Sequence, residues 1–297
     1  IPPTVTVLRV QSGNPTAAEL RNLGAAFNIP GETIGVAPQT QTLTLQWIDD
    51  QGAEWTFNGA NRNFEFSNPA KIVKTKPVAE WLVSDGLLEA ARTFLATKGV
   101  NTRHLGAPYL EPDWTAWWAN EQKLGHCMNE AARAVVRSIS ASTALLHAAP
   151  PALPSAQITR CLTPEFPSRA VVQFNATQDA QGIFKGDGTP IKGATLYLNA
   201  LTSEVISGSF TQPVDPERSD YPGLTLEEAQ LKLAQGGQGG TPSGDVALDE
   251  VTFEWFWIQD QKNPTDSYLY PALVGSGIIT YPDGKTAPYR IVVPLVK

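Results

Sequence analysis

Residues 186–240 read GDGTPIKGATLYLNALTSEVISGSFTQPVDPERSDYPGLTLEEAQLKLAQGGQGG, and this stretch decides the fold class. Asp187 followed by Gly188 is a strong turn signal. Apolar and polar side chains then alternate over residues 194–200 and again over residues 204–210. Because side chains of a strand point alternately to its two faces, this pattern predicts two consecutive strands with one buried face each.

A helix is predicted soon after these strands. Thr225 and Glu228 have the spacing of a capping box, in which each side chain binds a backbone N–H group of the first helical turn. The helix should continue through Ala234, and the glycine-rich segment 236–244 should form a flexible loop after it. Strand, strand and helix in this order predict an α+β fold in which a helix packs on an antiparallel sheet.

The N-terminal part of the chain predicts a unit of the same kind. Residues 5–10 alternate as a strand, and Asn14 with Pro15 predicts the start of a helix that continues through Phe27. A meander of three further strands is predicted over residues 42–48, 54–57 and 63–66. We expect residues 1–72 to form an N-terminal α+β domain.

Residues 73–297 are expected to form a C-terminal α+β domain that contains an insertion at about residues 106–167. Its first helix is predicted over residues 77–98. The insertion is predicted to be helical in part, over residues 128–149, although a strand over residues 134–139 is the alternative. The closing strands are predicted over residues 246–258, 267–274 and 289–296.

Composition and charge exclude some partners. The 297-residue chain is 42% hydrophobic, which is sufficient for a substantial core. Its net charge is −7 and it has no basic cluster, whereas proteins that bind nucleic acid draw their affinity from grouped Lys and Arg. We therefore expect no nucleic-acid partner. No apolar run approaches the roughly 20 residues that a bilayer span requires.

Two features favour an extracytoplasmic location. The sequence begins with Ile1 rather than Met, so we expect that an N-terminal segment has been removed, by processing or by the choice of fragment, and that segment could have been a signal peptide or a membrane anchor. Only 17% of the residues are charged, and there are 24 Gly and 24 Pro, a composition typical of secreted bacterial proteins. We predict a secreted or cell-surface protein that contacts a membrane only through the removed segment.

Cys127 and Cys161 are the only two cysteines. In an exported protein, an even pair predicts one disulfide, which would close a loop of roughly 35 residues and stabilise the fold by about 3 to 4 kcal/mol. The alternative interpretation is two buried free thiols.

Structural motifs in the second half of the chain suggest a family. They are Gly182-Ile183, Asp187-Gly188, residues 195–198 with 203–206, residues 221–229, residues 268–274 and residues 281–294. Over about residues 170–296, and more faintly over 1–98, the chain resembles bacterial extracytoplasmic proteins of the PepSY and YycI kind. The resemblance implies tandem cystatin-like units, each with a helix packed on an antiparallel sheet. It also implies a role in binding a protease or a sensor kinase, without catalytic residues.

The sequence predicts no catalytic residue, metal site or cofactor. His126 precedes Cys127, but adjacent residues rarely point toward each other as a nucleophile and its base must. His104, His126 and His147 lack the short helical spacing of a zinc-binding pair. Two acidic clusters could instead offer oxygen ligands to Ca²⁺, but neither has EF-hand spacing, and we interpret both as solvated surfaces. They are Asp215, Glu217 and Asp220, and Asp245, Asp249, Glu250 and Glu254.

Tryptophans are concentrated at two places, and they are the candidate partner-binding residues. Exposed tryptophan clusters are typical of protein interfaces or carbohydrate platforms, whereas buried ones belong to the core. Both interpretations remain open from the sequence. Five of the eight tryptophans are involved: Trp114, Trp117, Trp118, Trp255 and Trp257.

The leading hypothesis is a non-enzymatic interaction protein, a regulatory or structural subunit at the cell surface. Its partner would be another protein or a further copy of the chain, bound through strand edges and the aromatic insertion. An edge such as Val5–Val10 could extend the sheet of another chain, and repetition of that contact would build a filament. The alternative is an extracellular carbohydrate-binding protein or glycoside hydrolase that uses the tryptophan clusters.

Overall fold

The computed structural model describes residues 1–11, 13–31, 33, 43–71, 84–111, 169–199, 202–212, 214–263 and 266–297. The predicted helix over residues 128–149 and its alternative strand over residues 134–139 lie outside these segments.

The described segments contain both strands and helices, which confirms the predicted α+β class. The strands are β1 (Thr4–Gln11), β2 (Thr44–Ile48), β3 (Glu54–Asn58), β4 (Asn63–Ser67), β5 (Tyr109–Leu110), β6 (Arg169–Asn175), β7 (Thr177–Gln178), β8 (Gln181–Phe184), β9 (Lys192–Asn199), β10 (Val205–Thr211), β11 (Glu217–Pro222), β12 (Asp245–Gln259), β13 (Asp266–Thr280) and β14 (Thr286–Pro294). The α-helices are α1 (Ala17–Phe27), α2 (Ser84–Thr97) and α3 (Leu226–Ala234).

Sheet I has the strand order β2-β3-β4-β10-β9-β6-β5, and its neighbouring strands are antiparallel. Helices α1 and α2 contribute side chains to the core on its buried face. The rings of Phe27 and Phe64 stack with centroids 4.3 Å apart, and Phe64 stacks on Phe210 at 5.2 Å. Aromatic packing therefore joins α1 to two neighbouring strands of the sheet.

Sheet II has the strand order β11-β1-β13-β12-β8-β7, and β14 also pairs with β13. The long strand β13 pairs with β1 near its start and with β14 over its second half. Helix α3 packs on β14, where Ala229 and Leu233 join a core cluster with Ile291 and Val293. Two different strands, β1 and β14, therefore pair with successive parts of the same side of β13.

The predicted domain boundary at residue 72 does not separate the two sheets. In sheet I, β4 pairs with β10, and in sheet II, β1 pairs with β11 and β13. Each sheet therefore combines strands from both sides of the boundary. The sequence did not predict this arrangement, because pairing between strands that are distant in the chain leaves no signal in local periodicity.

The predicted edge strand Val5–Val10 lies inside sheet II. It forms most of β1, and residues 4–9 of β1 pair with β11 while residues 8–11 pair with β13. Because β1 lies between β11 and β13 in the sheet, and Val5, Val7 and Leu8 are buried, β1 is an interior strand and does not offer a free edge for another chain. This part of the interaction hypothesis was wrong.

Helix α1 begins two residues later than predicted. Thr16 is its N-cap and forms a capping box with Glu19, whereas the side-chain oxygen Oδ1 of Asn14 accepts a hydrogen bond from Leu43 N at 2.9 Å. Asn and Thr are both good N-caps, so the sequence alone did not distinguish them.

Helix α3 confirms the predicted capping box. Glu228 N donates to Thr225 Oγ1 at 3.2 Å, and Thr225 N donates to Glu228 Oε2 at 2.6 Å.

The first residues of the predicted insertion belong to sheet I. Tyr109 and Leu110 form β5, which pairs with Gln173 and Val172 of β6. The Tyr109 hydroxyl group also lies 3.0 Å from both Gln173 Oε1 and Asn175 Oδ1. The ordered sheet therefore extends into the range 106–167 that the sequence assigned to the insertion.

Candidate protein-binding edge

The longest free strand edge in the described part of the chain belongs to β12. All along its length β12 pairs with β13, but β8 reaches its other side only at Trp255 and Phe256. No other described strand pairs with that side. Residues 245–254 therefore present the unpaired backbone N–H and C=O groups of an edge strand, and we call this segment the β12 edge.

A β-bulge divides the β12 edge. Leu248 pairs with Gly277 and Glu250 pairs with Ser276, so Asp249 is an extra residue in the ladder. Gly277 permits this bulge, because a Cβ atom there would lie 1.9 Å from Ala247 O. The bulge shifts the alternation of side chains by one residue. Even-numbered residues before the bulge therefore share a face of the sheet with odd-numbered residues after it.

One face of the β12 edge is apolar and partly open to solvent. By the alternation of the strand, its residues are Val246, Leu248, Val251 and Phe253, and Trp255 continues the same face just beyond the edge. Leu248 is 36% exposed, Val251 is 47% exposed and Phe253 is 42% exposed. Val246 and Trp255 are more deeply packed, because they contact the core clusters at the two ends of the segment. We call the exposed residues, Leu248, Val251 and Phe253, the apolar strip.

The opposite face of the β12 edge and the bulge are acidic. Asp245 and Glu250 lie on that face, Asp249 lies at the bulge, and all three residues are exposed. Glu254 lies on the same face, and its carboxylate accepts a hydrogen bond from Gly182 N at the start of β8. This contact lies next to the position at which β8 stops pairing with β12. The acidic cluster predicted at residues 245–254 is therefore a property of a strand edge.

Trp255 is a core residue, which corrects its prediction as a partner-binding residue. It is 6% exposed and packs with Leu8 and Leu269. Its indole Nε1 donates to Gln178 O at 2.9 Å, so the polar atom of the ring is also satisfied internally. Trp257 is partly buried against the same cluster. The late tryptophans therefore join β12 to its neighbours, and the apolar strip lies just before them.

A second exposed edge lies on the far side of sheet II. All six residues of β11 are exposed, and β11 pairs only with β1 among the described strands. Its acidic residues are engaged with β1: the Thr6 hydroxyl donates to Asp220 at 2.8 Å, and Arg9 forms an ion pair with Glu217 at 3.3 Å. Two residues of the first predicted acidic cluster, Glu217 and Asp220, thus lie on a strand, and Asp215 precedes it. Because β11 has fewer exposed apolar residues, it is the weaker candidate edge.

In the part of the chain that the structure describes, chemical features expected of an active site are sparse. In the described segments, no group of three or more His, Cys, Asp or Glu residues could hold a metal ion. A cleft of about 420 Å³ lies between α2 and residues 102–108, where Glu89 and Arg92 form an exposed ion pair at 3.6 Å. Its lining also includes Thr93, Thr102, Leu105 and Phe174. Within the described segments neither threonine hydroxyl forms a hydrogen bond with Glu89, so the cleft shows no nucleophile paired with a base.

Perturbed carboxyl groups belong to turns and helix caps. The hydrogen bond from Thr189 N holds the pKa of Asp187 below its ordinary value, within the turn that the sequence predicted. The hydrogen bond from Thr225 N does the same for the pKa of Glu228 at the start of α3. The hydrogen bonds that cause these pKa shifts stabilise local structure, and the two carboxyl groups do not form an acid–base pair.

Several residues that the sequence analysis considered, including two histidines that it did not assign to a site, lie outside the described segments. They are Trp114, Trp117, Trp118, Cys127, Cys161, His126 and His147. His104 is described and ends a short 3₁₀ turn at residues 102–104. No helix in the described segments has the length and hydropathy needed to cross a bilayer.

Sequence reasoning missed Leu248, Val251 and Phe253 as candidate binding residues. The signal was present, because apolar residues at 251, 253 and 255 alternate with Glu250, Thr252 and Glu254. That alternation predicts a strand with an apolar face, but it does not say whether another element covers the face.

Comparisons with known proteins give no function. No family model matches the chain, and no curated protein matches it. Among solved structures, the chain is similar to an uncharacterized protein from Eubacterium rectale, with 8% sequence identity and a TM-score of 0.43 over 100% of this chain and 84% of the other. A likeness at this level carries no functional argument, so the functional proposal rests on the geometry of the chain itself.

Proposed function

We propose that this protein is a non-enzymatic, exported or cell-surface interaction protein that binds a protein partner through an exposed strand edge. It would act as a regulatory or structural subunit built from cystatin-like α+β units of the PepSY and YycI kind. The low charged fraction of 17% and the export-type composition support the location.

The observation that carries the proposal is the coincidence of a free edge with exposed apolar side chains. Edge strands of soluble proteins are commonly short, charged on both faces or covered, because an open apolar edge promotes pairing with other chains. The β12 edge instead keeps Val251 and Phe253 close to half exposed beside unpaired backbone groups. Such an edge is suited to β-augmentation, in which backbone hydrogen bonds give affinity and side-chain contacts give specificity.

A carbohydrate platform receives less support from the described residues. Trp255 is buried, and its indole N–H group is occupied by Gln178 O. A sugar-binding tryptophan needs an open ring face, and the apolar strip consists of aliphatic residues and one phenylalanine.

Quantitative affinity purification from the native source would test the proposed function. The bait would be the wild-type chain, compared with a variant carrying Val251→Ser and Phe253→Ser. The matched control would be Ile48→Ser on β2, because Ile48 is 65% exposed on sheet I. We expect one extracytoplasmic protein to be enriched with the wild type and the control but lost with the β12 variant. Equal recovery with all three baits would contradict the role of this edge.

A further inference from the structure

The charge pattern of the β12 edge specifies the chemistry of its partner. We propose that the β12 edge binds an extended peptide segment in which apolar residues alternate with Lys or Arg. This proposal rests on the function proposed above and adds the class of ligand. The apolar side chains of the ligand would lie beside the apolar strip, and its basic side chains would lie beside the acidic face.

The alternation of side chains along β12 determines which residues of an added strand would meet the apolar strip. Beyond the bulge, Val251 and Phe253 point to one face, while Glu250, Thr252 and Glu254 point to the other. A strand added to this edge must alternate with the same period, so its successive residues meet an apolar and an acidic environment in turn. An apolar residue placed opposite Val251 or Phe253 would bury area that is now in water, and this burial favours binding.

The exposed carboxylates of the β12 edge determine which charge a ligand strand should carry. Asp249 and Glu250 are exposed, and within the part of the chain that the structure describes neither forms an ion pair with Lys or Arg. Asp245 adds a third exposed carboxylate on this segment, and residues 245–254 contain no basic residue. Opposite charges across paired strands stabilise a sheet and like charges destabilise it, so this edge favours a basic ligand strand.

The same charge argument disfavours a second copy as the occupant. Antiparallel pairing of two β12 edges would bring the acidic residues of one copy next to those of the other, without any Lys or Arg from either segment. The net charge of −7 adds a longer-range repulsion between copies. A basic strand from a different protein avoids both costs.

Titration with synthetic peptides would test the ligand class on the full chain. A fluorescent peptide of alternating Val and Lys would be compared with one of alternating Val and Glu and with a scrambled Val and Lys peptide of equal composition. We expect the alternating basic peptide to bind at least about tenfold more tightly than the other two, with affinity falling as salt rises. Binding of the acidic or scrambled peptide with equal affinity would overturn the proposal.

Charge reversal locates the binding site. The variant with Asp249→Lys and Glu250→Lys should lose affinity for the Val and Lys peptide and gain affinity for the Val and Glu peptide. The control with Glu65→Lys and Glu89→Lys on sheet I and α2 makes the same change in net charge and should keep the wild-type preference. Glu250→Gln provides a milder variant if the double reversal impairs folding, and it should weaken binding of the basic peptide severalfold.

Failure of this inference is distinguishable from failure of the proposed function. A native partner that needs Val251 and Phe253, combined with no preference for the basic peptide, would keep the interaction function and overturn the ligand class. A dimer of the chain that dissociates on Phe253→Ser would identify a second copy as the occupant and also overturn the basic ligand. An unchanged peptide preference after reversal of both charges would exclude the β12 edge.

Discussion

Lys98 lies against Asp49, and this contact joins the end of α2 to the turn between β2 and β3. Lys98 Nζ is 3.8 Å from Asp49 Oδ2 and 5.0 Å from the centre of the Trp55 ring. The Asp49 side chain is 3% exposed and accepts hydrogen bonds from Gln51 N, Ala53 N and the Trp55 indole. A single buried carboxylate therefore organises a hairpin turn and attaches it to the helix.

Asp49→Ala should destabilise the fold by about 2 to 4 kcal/mol, because it leaves three donors without their acceptor in a buried site. Chemical denaturation monitored by tryptophan fluorescence would measure the change. The control is Asp50→Ala, since Asp50 is the exposed neighbour in the same turn. An equal effect of the two substitutions would contradict the assigned role of Asp49.

The same carboxyl group should make stability depend on pH. Burial opposes ionisation of Asp49, but hydrogen bonds from Ala53 N and the Trp55 indole, with the charge of Lys98, outweigh it and hold its pKa below the ordinary value of 3.8. A lowered pKa in the folded state contributes stability above the unfolded-state pKa, and this contribution is lost as pH falls toward the folded-state pKa. The denaturation difference between wild type and Asp49→Asn should therefore shrink below about pH 4.

Glu19 should contribute stability at neutral pH through the capping box of α1 and through Arg62. The Arg62 guanidinium donates to Glu19 at 2.9 Å, and this contact, together with the hydrogen bonds to Thr16, outweighs burial and lowers the pKa of Glu19 from 4.5 to about 2. Because the Glu19 side chain is 40% exposed, solvent screening reduces the corresponding stabilisation, and Glu19→Gln should cost only about 1 kcal/mol at pH 7.

Urea unfolding at a series of pH values would check this contribution. The difference between wild type and Glu19→Gln should be constant above pH 4.5 and should disappear as pH falls toward about 2. Glu89→Gln is the control, because Glu89 and Arg92 form an exposed pair on α2 that should contribute little. A pH-independent cost of Glu19→Gln would show that its charge is not the cause.

Gly277 should be intolerant of any side chain. In Gly277→Ala the new Cβ atom would lie 1.9 Å from Ala247 O, so the strands must separate at the bulge, at a cost of about 2 kcal/mol or more. Gly239→Ala is the matched control, because a Cβ atom at Gly239 meets nothing within 4 Å. Thermal unfolding would compare the two variants, and a neutral result for Gly277→Ala would contradict the bulge.

Trp255 and Phe253 are two residues apart on one strand, but their replacement by alanine should change the stability of the fold by very different amounts. Trp255→Ala should cost about 3 to 5 kcal/mol because it removes a large buried ring and the donor to Gln178 O. Phe253→Ala should change stability by less than about 1 kcal/mol, since its ring is already 42% exposed. Equal destabilisation by both substitutions would show that the apolar strip belongs to the core.

Local patterns in the sequence predicted much of the secondary structure. Alternation predicted the strands that became β9, β10 and β12, and the spacing of Thr225 and Glu228 predicted the start of α3. These signals succeed because they depend on residues within one element.

Features that depend on distant residues were not predictable in this way. The neighbours of β1 come from β11 and β13, more than 200 residues away, so its interior position had no local signal. The bulge at Asp249 likewise depends on the absence of a side chain at Gly277 in the facing strand. The candidate edge follows from where β8 stops, and no pattern within β12 records that position.

Site-specific photo-crosslinking in the native cell would test the interaction function most directly. A photoreactive residue would replace Phe253 on the β12 edge, Tyr221 on β11 or Arg92 on α2, each of which is exposed. We predict one discrete crosslinked protein from the Phe253 position and none from the Arg92 position, with the chain recovered outside the cytoplasm. Absence of a crosslinked protein from Phe253 while Tyr221 or Arg92 gives one would contradict the claim that the β12 edge is the binding surface.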